Sequence, residues 1–214
     1  YLNPKTVYVL AENTDYGKNE INTLQKNWSG PDAPQIVGTE YFERTETDFS
    51  VLLTKVKSAN PDAMMVVVSG ASIPAAIFKQ ADELGITSKK IMNPGNMTQD
   101  FINEGGAATE GVTSADTYHH SLKNPFNEKF VQQFQAEYNL LPVAVDVEGW
   151  EGVMMIAKAI DAVGSADDIA AISKAMRETK WETPRGEVTF DETGRAHSET
   201  VILHVKNGQV AVVE

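Results

Sequence analysis

The sequence predicts an α/β fold, a doubly wound parallel sheet in its first half followed by helices with no strands between them. From Thr6 to Ala115, strand-like apolar runs alternate with helix-like stripes, the rhythm of parallel strands joined by right-handed crossovers. Ala63–Ser69 (AMMVVVS) is apolar without alternation, as a strand buried on both faces should be. After about Asp116 the alternation stops.

The elements follow in order. Thr6–Ala11 (TVYVLA) reads as a strand and Tyr16–Trp28 as a helix, ended by Ser29-Gly30-Pro31. Gln35–Phe42 is a second strand. Phe49, Leu52, Leu53 and Val56 then fall on one helical stripe, with Thr47 or Asp48 as the N-cap. Pro61-Asp62 breaks the chain before the apolar strand at Ala63. Ile73–Leu84 is helical and stops at Gly85, the position where a left-handed residue ends a helix. Lys90–Asn93 is a short strand, Thr98–Glu104 a short helix, and Gly111–Ala115 a fifth strand.

Beyond Asp116 come three helical segments. Pro125–Tyr138 carries Phe126, Phe130, Phe134 and Tyr138 at steps of four. Asp146–Val163 presents Trp150, Val153, Met154, Ala157 and Ile160. Ser165–Thr179 opens with a Ser-Ala-Asp-Asp cap and presents Ile169, Ile172 and Met176. These stripes either pack on one another as a small bundle or cover a second sheet, which this chain is not expected to contain. RGEVTFDETG, TVILHV and QVAVV read as closing strands, with Asn207-Gly208 as a hairpin turn.

The formal charge of −12 argues against nucleic acid and anionic membrane surfaces as partners. Cysteine is absent, which removes disulfides, thiol nucleophiles and thiolate metal sites together. No apolar run approaches the roughly 18 residues a membrane span needs. The motifs of nucleotide binding, metalloproteases and serine hydrolases are missing. His119-His120 is an adjacent pair with no third ligand at a metal-site spacing. Met64-Met65 and Met154-Met155 fall inside core elements, where thioethers fill gaps. No catalytic residue, metal site or cofactor is expected.

Ligand chemistry points instead to the strand ends. In an open parallel sheet, ligands bind beyond the carboxyl ends of the strands. Three of those ends are polar here: Glu12–Gly17 after the first strand, Ser69–Ser72 after the third, and Asn93–Thr98 after the fourth. Such residues also make turns and helix caps. What distinguishes them is convergence on one edge of one sheet. The candidate ligand-binding residues are Tyr16, Asn13, Ser69, Ser72, Asn93 and Asn96, a set of amides, hydroxyls and one phenol suited to orienting a small polar molecule. Tyr16 leads, because an aromatic at the mouth can close over a ligand.

Taken together, TVYVLAENTDYG, TDFSVLLTKVKSANPDAMMVV, EGVTSADTY, NPFNEKFVQQFQAEYN, VEGWEGVMMIAKAIDAVGSADDI and WETPRGEVTFDETG resemble, in order and spacing, the branched-chain amino-acid type substrate-binding proteins of ABC transporters. These belong to the type I periplasmic binding proteins. The resemblance implies two α/β lobes joined by three crossovers, with ligand held between them. Residues 1–116 would be the core of lobe two, 117–185 a helical segment of lobe one, and 186–214 strands crossing back. The N-terminal part of lobe one is not in this chain, so the chain reads as a piece of a longer protein. Phe126, Phe130, Phe134, Trp150 and Ile160 are then expected to lack the sheet they cover, and to invite complementation by that segment or self-association.

The resemblance further implies an extracytoplasmic, periplasmic or membrane-anchored protein that is not an enzyme. It would capture a small amino-acid-like, carboxylate or amide metabolite by closure of its lobes and deliver it to an ABC permease. A sensory ligand-binding module of the same fold is the alternative, and an enzyme on a doubly wound sheet the more distant one. In the family, lobe two contributes an aromatic from the first loop, matching Tyr16 in Asp-Tyr-Gly, and residues from the third and fourth strand ends, matching Ser72 and Asn93–Asn96. Where branched-chain amino-acid binders place an acidic partner for the ammonium group, this sequence reads Asn-Pro-Gly-Asn. That departure favours a carboxylate, amide or aromatic acid.

Overall fold

The computed structural model describes residues 1–213. The chain divides into two compact units, Tyr1–Ala115 with Ile202–Glu214, and Asp116–Val201.

The first unit opens with β1 (Thr6–Glu12), α1 (Asp15–Asn27), β2 (Gln35–Phe42), α2 (Ser50–Ala59) and β3 (Ala63–Val67). It continues through α3 (Ser72–Glu83), β4 (Lys89–Met92), α4 (Gln99–Gly105), a short 3-10 turn and β5 (Thr113–Asp116). Strands β1 to β5 pair in parallel. With β9 (Val201–Lys206) and β10 (Gln209–Val212) they build a seven-stranded sheet of order β10-β9-β5-β4-β3-β1-β2. From β1 the chain steps outward to β2 and then returns to the opposite side at β3. The sequential order therefore reverses between β1 and β3, which makes the carboxyl ends of those two strands the crevice of the fold. The parallel, doubly wound core is the one the alternating sequence predicts.

Burial on both faces explains the unbroken apolar runs. Val7, Val9, Ala11, Ala63 and Val67 pack with Ile21 of α1. Their neighbours Leu10, Met64 and Val66 are buried as well. The start of β1 is tied to the turn before β3: Asp62 accepts from the backbone N–H groups of Lys5 and Thr6, at 2.7 and 2.9 Å. At the other edge, Asn207 and Gly208 both take positive φ (54° and 69°), the two-residue turn that the right-handed twist of a hairpin favours. Helix α2 begins one residue later than the capping expectation. Its N-cap is Phe49, without a side-chain cap, and Asp48 instead accepts from Ser50 N at 2.9 Å.

The second unit holds α5 (Pro125–Tyr138), α6 (Ala144–Val163) and α7 (Ile169–Glu178), then β6 (Trp181–Thr183), β7 (Gly186–Phe190) and β8 (Ala196–His197). The last three form a small antiparallel sheet. A second sheet is therefore present, although its first strand is only three residues long and gives no periodic signal. Residues 186–197, grouped by sequence with the closing strands, belong to this small sheet, β7 pairing with β6 and β8 with β7, whereas β9 and β10 join the large sheet. Met155 of α6 packs with Trp181 and Val188. Trp181 Nε1 donates to Met176 O at 2.9 Å.

The α5 stripe is divided between two environments. Phe130 is buried with Tyr118, Ala144 and Val147. Phe126 and Phe130 also stand edge-on to Trp150, at centroid distances of 5.7 and 5.2 Å. Together they line a groove of about 590 Å³. Along α6, Trp150, Val153 and Ile156 remain 37%, 71% and 47% exposed. Among the described residues no helix is long and apolar enough to cross a membrane.

Candidate functional site

The carboxyl ends of β1, β3 and β4 meet in one hydrogen-bonded polar cluster. Its centre is Glu12, the last residue of β1, only 1% exposed. Oε1 accepts from the hydroxyls of Thr14 and Ser69, at 2.7 and 2.9 Å, and Oε2 accepts from the backbone N–H of Ser69 at 3.0 Å. Arg44, from the loop after β2, brings Nε to 3.8 Å of Oε2 and donates from Nη2 to Ser69 O at 3.5 Å. Burial raises the Glu12 carboxyl, but the Ser69 and Thr14 hydrogen bonds and the Arg44 charge outweigh it and hold the group below its ordinary value.

Local sequence dictates how this end is built. Thr14 caps α1, accepting from Gly17 N at 3.3 Å while its hydroxyl donates to Glu12. Gly17 sits directly on the Glu12 carbonyl, and a Cβ there would collide with that backbone oxygen. The glycine of Asp-Tyr-Gly thus lets α1 start hard against the end of β1. As a result Tyr16 projects from the first turn of the helix, 41% exposed.

The β4 loop supplies two buried asparagines. Asn93 Oδ1 accepts from Val68 N at 3.0 Å, which leaves its amide nitrogen to donate to the Tyr16 hydroxyl at 3.0 Å. Asn96 Oδ1 accepts from Gly70 N at 3.0 Å, and Nδ2 donates to Val68 O at 2.8 Å. These amides satisfy backbone groups where β3 leaves the sheet and its ladder partners run out. Burial raises the Tyr16 phenol, with Glu20 and Glu12 adding to the shift against the Asn93 hydrogen bond. At neutral pH it keeps its proton.

Of the six candidates from sequence, Tyr16 and Asn93 are bonded to each other, Asn93 and Asn96 clamp the backbone just after β3, and Ser69 lies in that stretch, bonded to Glu12. Asn13 turns aside, donating to Glu43 Oε1 at 2.6 Å. Ser72 stands exposed at the first position of α3. Sequence reading missed the organising part of Glu12 and the reach of Arg44. The only signal for Glu12 was an acid placed immediately after a fully apolar strand. Arg44 lies after β2, a strand end that did not stand out as polar.

His119 and His120 stack at a centroid distance of 4.1 Å, and burial lowers His120. Among the described residues, no group of three or more His, Cys, Asp or Glu side chains could hold a metal ion.

A family model described as a periplasmic binding protein matches residues 2–209. The chain belongs to the periplasmic binding protein family. It is similar to the Leu/Ile/Val-binding protein homolog 3 of Brucella melitensis biotype 1, 29% identical over 199 residues, covering 90% of this chain and 52% of that protein. The crystal structure of a leucine binding protein, LivK, from Thermotoga maritima MSB8 superposes with a TM-score of 0.88 at 29% identity, over 100% of this chain and 61% of the other. A Rhodopseudomonas palustris BisB5 solute binding protein of an ABC transporter, in complex with 3,4-dihydroxy benzoic acid, gives 0.80 at 28% identity, over 96% and 58%. The chain thus spans about half the length of the curated relative it matches. These relatives are named for binding and transport, and the doubly wound fold of this family explains both the parallel sheet and its polar strand ends.

Proposed function

We propose that the chain forms most of lobe two, with helices of lobe one, of an extracytoplasmic solute-binding protein. The whole protein captures a small amino-acid-like, carboxylate or amide metabolite by closure of its lobes and hands it to an ABC permease. Tyr16 and Ser72 face the solute from this side, with Asn13 at the rim, while Ser69, Asn93 and Asn96 brace the strand ends that position them. The observation that carries the reading is the Asn93–Tyr16 hydrogen bond of 3.0 Å. It ties the first and fourth strand ends together and holds an aromatic ring at the switch point of the fold, where such sheets bind ligands.

The relatives support the ligand class. One similar protein is a leucine binding protein and another was crystallised with 3,4-dihydroxy benzoic acid, so amino acids and aromatic acids are the first solutes to test. In the same reading, the open apolar groove of Phe126, Phe130 and Trp150 is the face on which the remainder of lobe one packs. A location outside the cytoplasm follows from the transport role.

A thermal-shift screen of the full-length protein against small metabolites tests this. A true solute at a hundred times its dissociation constant adds about 2.7 kcal/mol of stability. A screen in which no amino acid, carboxylate or amide shifts the melting transition would sink the proposal. Neighbouring genes for a permease and ATPase, rather than a kinase or response regulator, separate transport from sensing.

A further inference from the structure

At the edge of the large sheet opposite β2, the turn between β9 and β10 carries chemistry of its own. It is Asn207-Gly208, held at φ of 54° and 69° with both residues exposed. Asparagine followed by glycine is open to intramolecular deamidation, because glycine has no Cβ to shield its backbone nitrogen. The reaction begins when the Gly208 nitrogen loses its proton to a solvent base. That nitrogen then attacks Cγ of Asn207, the Cγ–Nδ2 bond breaks, and ammonia leaves with a proton taken from water. A water molecule opens the resulting succinimide to aspartate or to isoaspartate, which adds a methylene to the backbone.

A carboxylate sits on the one proton that must leave. Glu110, exposed in the loop before β5, accepts from Asn207 N at 2.9 Å through Oε1 and from Gly208 N at 3.1 Å through Oε2. Successive backbone N–H groups turned to one side make a concavity that an anion fills. Those two bonds lead in holding the Glu110 carboxyl below its ordinary value, so it is ionised at neutral pH. Deprotonating Gly208 N therefore breaks a charge-assisted hydrogen bond. It also creates a second negative charge 3.1 Å from a carboxylate oxygen, where like charges repel strongly.

The damage would fall on the fold. β10 is the outermost strand of its sheet, and Asn207-Gly208 sets its register on β9, Gln209 against Lys206 and Val212 against Leu203. An extra methylene in a two-residue turn spoils that register.

We propose that Asn207-Gly208 is a latent deamidation site held closed by the Glu110 carboxylate, a modification site independent of any bound solute.

The test compares full-length protein with a synthetic peptide of Leu203–Val212, both incubated at mildly alkaline pH and sampled by mass spectrometry of the segment that contains Asn207. Folded wild type should deamidate at least about tenfold more slowly than the peptide. Glu110→Gln should speed the folded protein by about tenfold, the size of one charge-assisted hydrogen bond. Glutamine keeps the side-chain shape and an acceptor, so amide hydrogen exchange across β9 and β10 should match the wild type. Folded wild type reacting as fast as the peptide overturns the proposal. So does Glu110→Gln reacting as slowly as wild type, which would leave turn geometry alone as the protection. Acceleration that comes with lost exchange protection across β9 and β10 overturns it too, because Glu110 would then only pin the turn.

Discussion

Glu12 in the first unit and Glu151 in the second are both almost fully buried, at 1% and 2% exposure, yet they are satisfied by different kinds of partner. Glu12 is held by neutral donors, two hydroxyls and a backbone N–H from neighbouring strand ends. Glu151 is held by a charge. Arg185 Nε and Nη2 both donate to its Oε2, at 2.9 and 2.7 Å, and the arginine side chain is itself only 10% exposed. Oε1 of Glu151 meets no hydrogen-bond donor among the described residues. The contrast separates a carboxylate that organises a polar edge from one that staples a helix to a turn. In the first case the nearby arginine stays available for other work; in the second it is committed.

The largest expected effect comes from breaking the committed pair. Arg185→Met leaves the buried Glu151 carboxyl without its partner, and should cost about 3–5 kcal/mol in a urea unfolding experiment. The double variant Arg185→Met/Glu151→Leu should recover most of that, because two apolar side chains replace two desolvated ions. A single-variant loss below about 1 kcal/mol, the range of an exposed pair, would mean that water already reaches Glu151.

Glu12→Gln should cost less, about 1–3 kcal/mol, because one buried donor loses its acceptor while the shape is kept. Part of that cost depends on pH. The Glu12 carboxyl lies below its ordinary value of 4.5 in the folded protein. A carboxylate with a depressed folded-state pKa stabilises the fold above the unfolded value, and this stabilisation is lost as pH falls through the folded one. The gap in unfolding midpoint between wild type and Glu12→Gln should therefore be full at neutral pH and narrow steadily below about pH 4.5. A gap that does not change with pH would show that the Glu12 carboxyl has the same pKa in the folded and the unfolded protein.

These two glutamates also mark where sequence reading stops. The alternation of β1 to β5 with α1 to α4 was legible because burial on both faces forces long apolar runs, and α5 because its aromatics repeat every four residues. The strand ends followed by Tyr16, Asn93 and Asn96 were legible as a polar set at one sheet edge. Their internal wiring was not. Whether Asn96 points to a ligand or clamps Val68 and Gly70 depends on side-chain direction, which spacing does not encode. Nor could composition tell that Phe130 is covered by Tyr118 and Val147 while Val153 on α6 is left 71% exposed. Sequence gives the stripe, but tertiary packing decides which part of it is covered.

The smallest stability effect is predicted where the contrast is sharpest, at the second arginine. Arg44 stands 3.8 Å from Glu12 with its side chain 55% exposed, so water screens the pair and side-chain entropy offsets much of the attraction. Three closer donors keep the Glu12 carboxylate satisfied without it. Arg44→Gln should therefore change unfolding stability by no more than about 1 kcal/mol, against the several kcal/mol expected at Arg185. The urea midpoints of the two variants, measured side by side, decide the matter. A loss at Arg44 as large as that at Arg185 would make both arginines structural. A near-neutral Arg44→Gln means that this guanidinium carries no structural duty at the switch point.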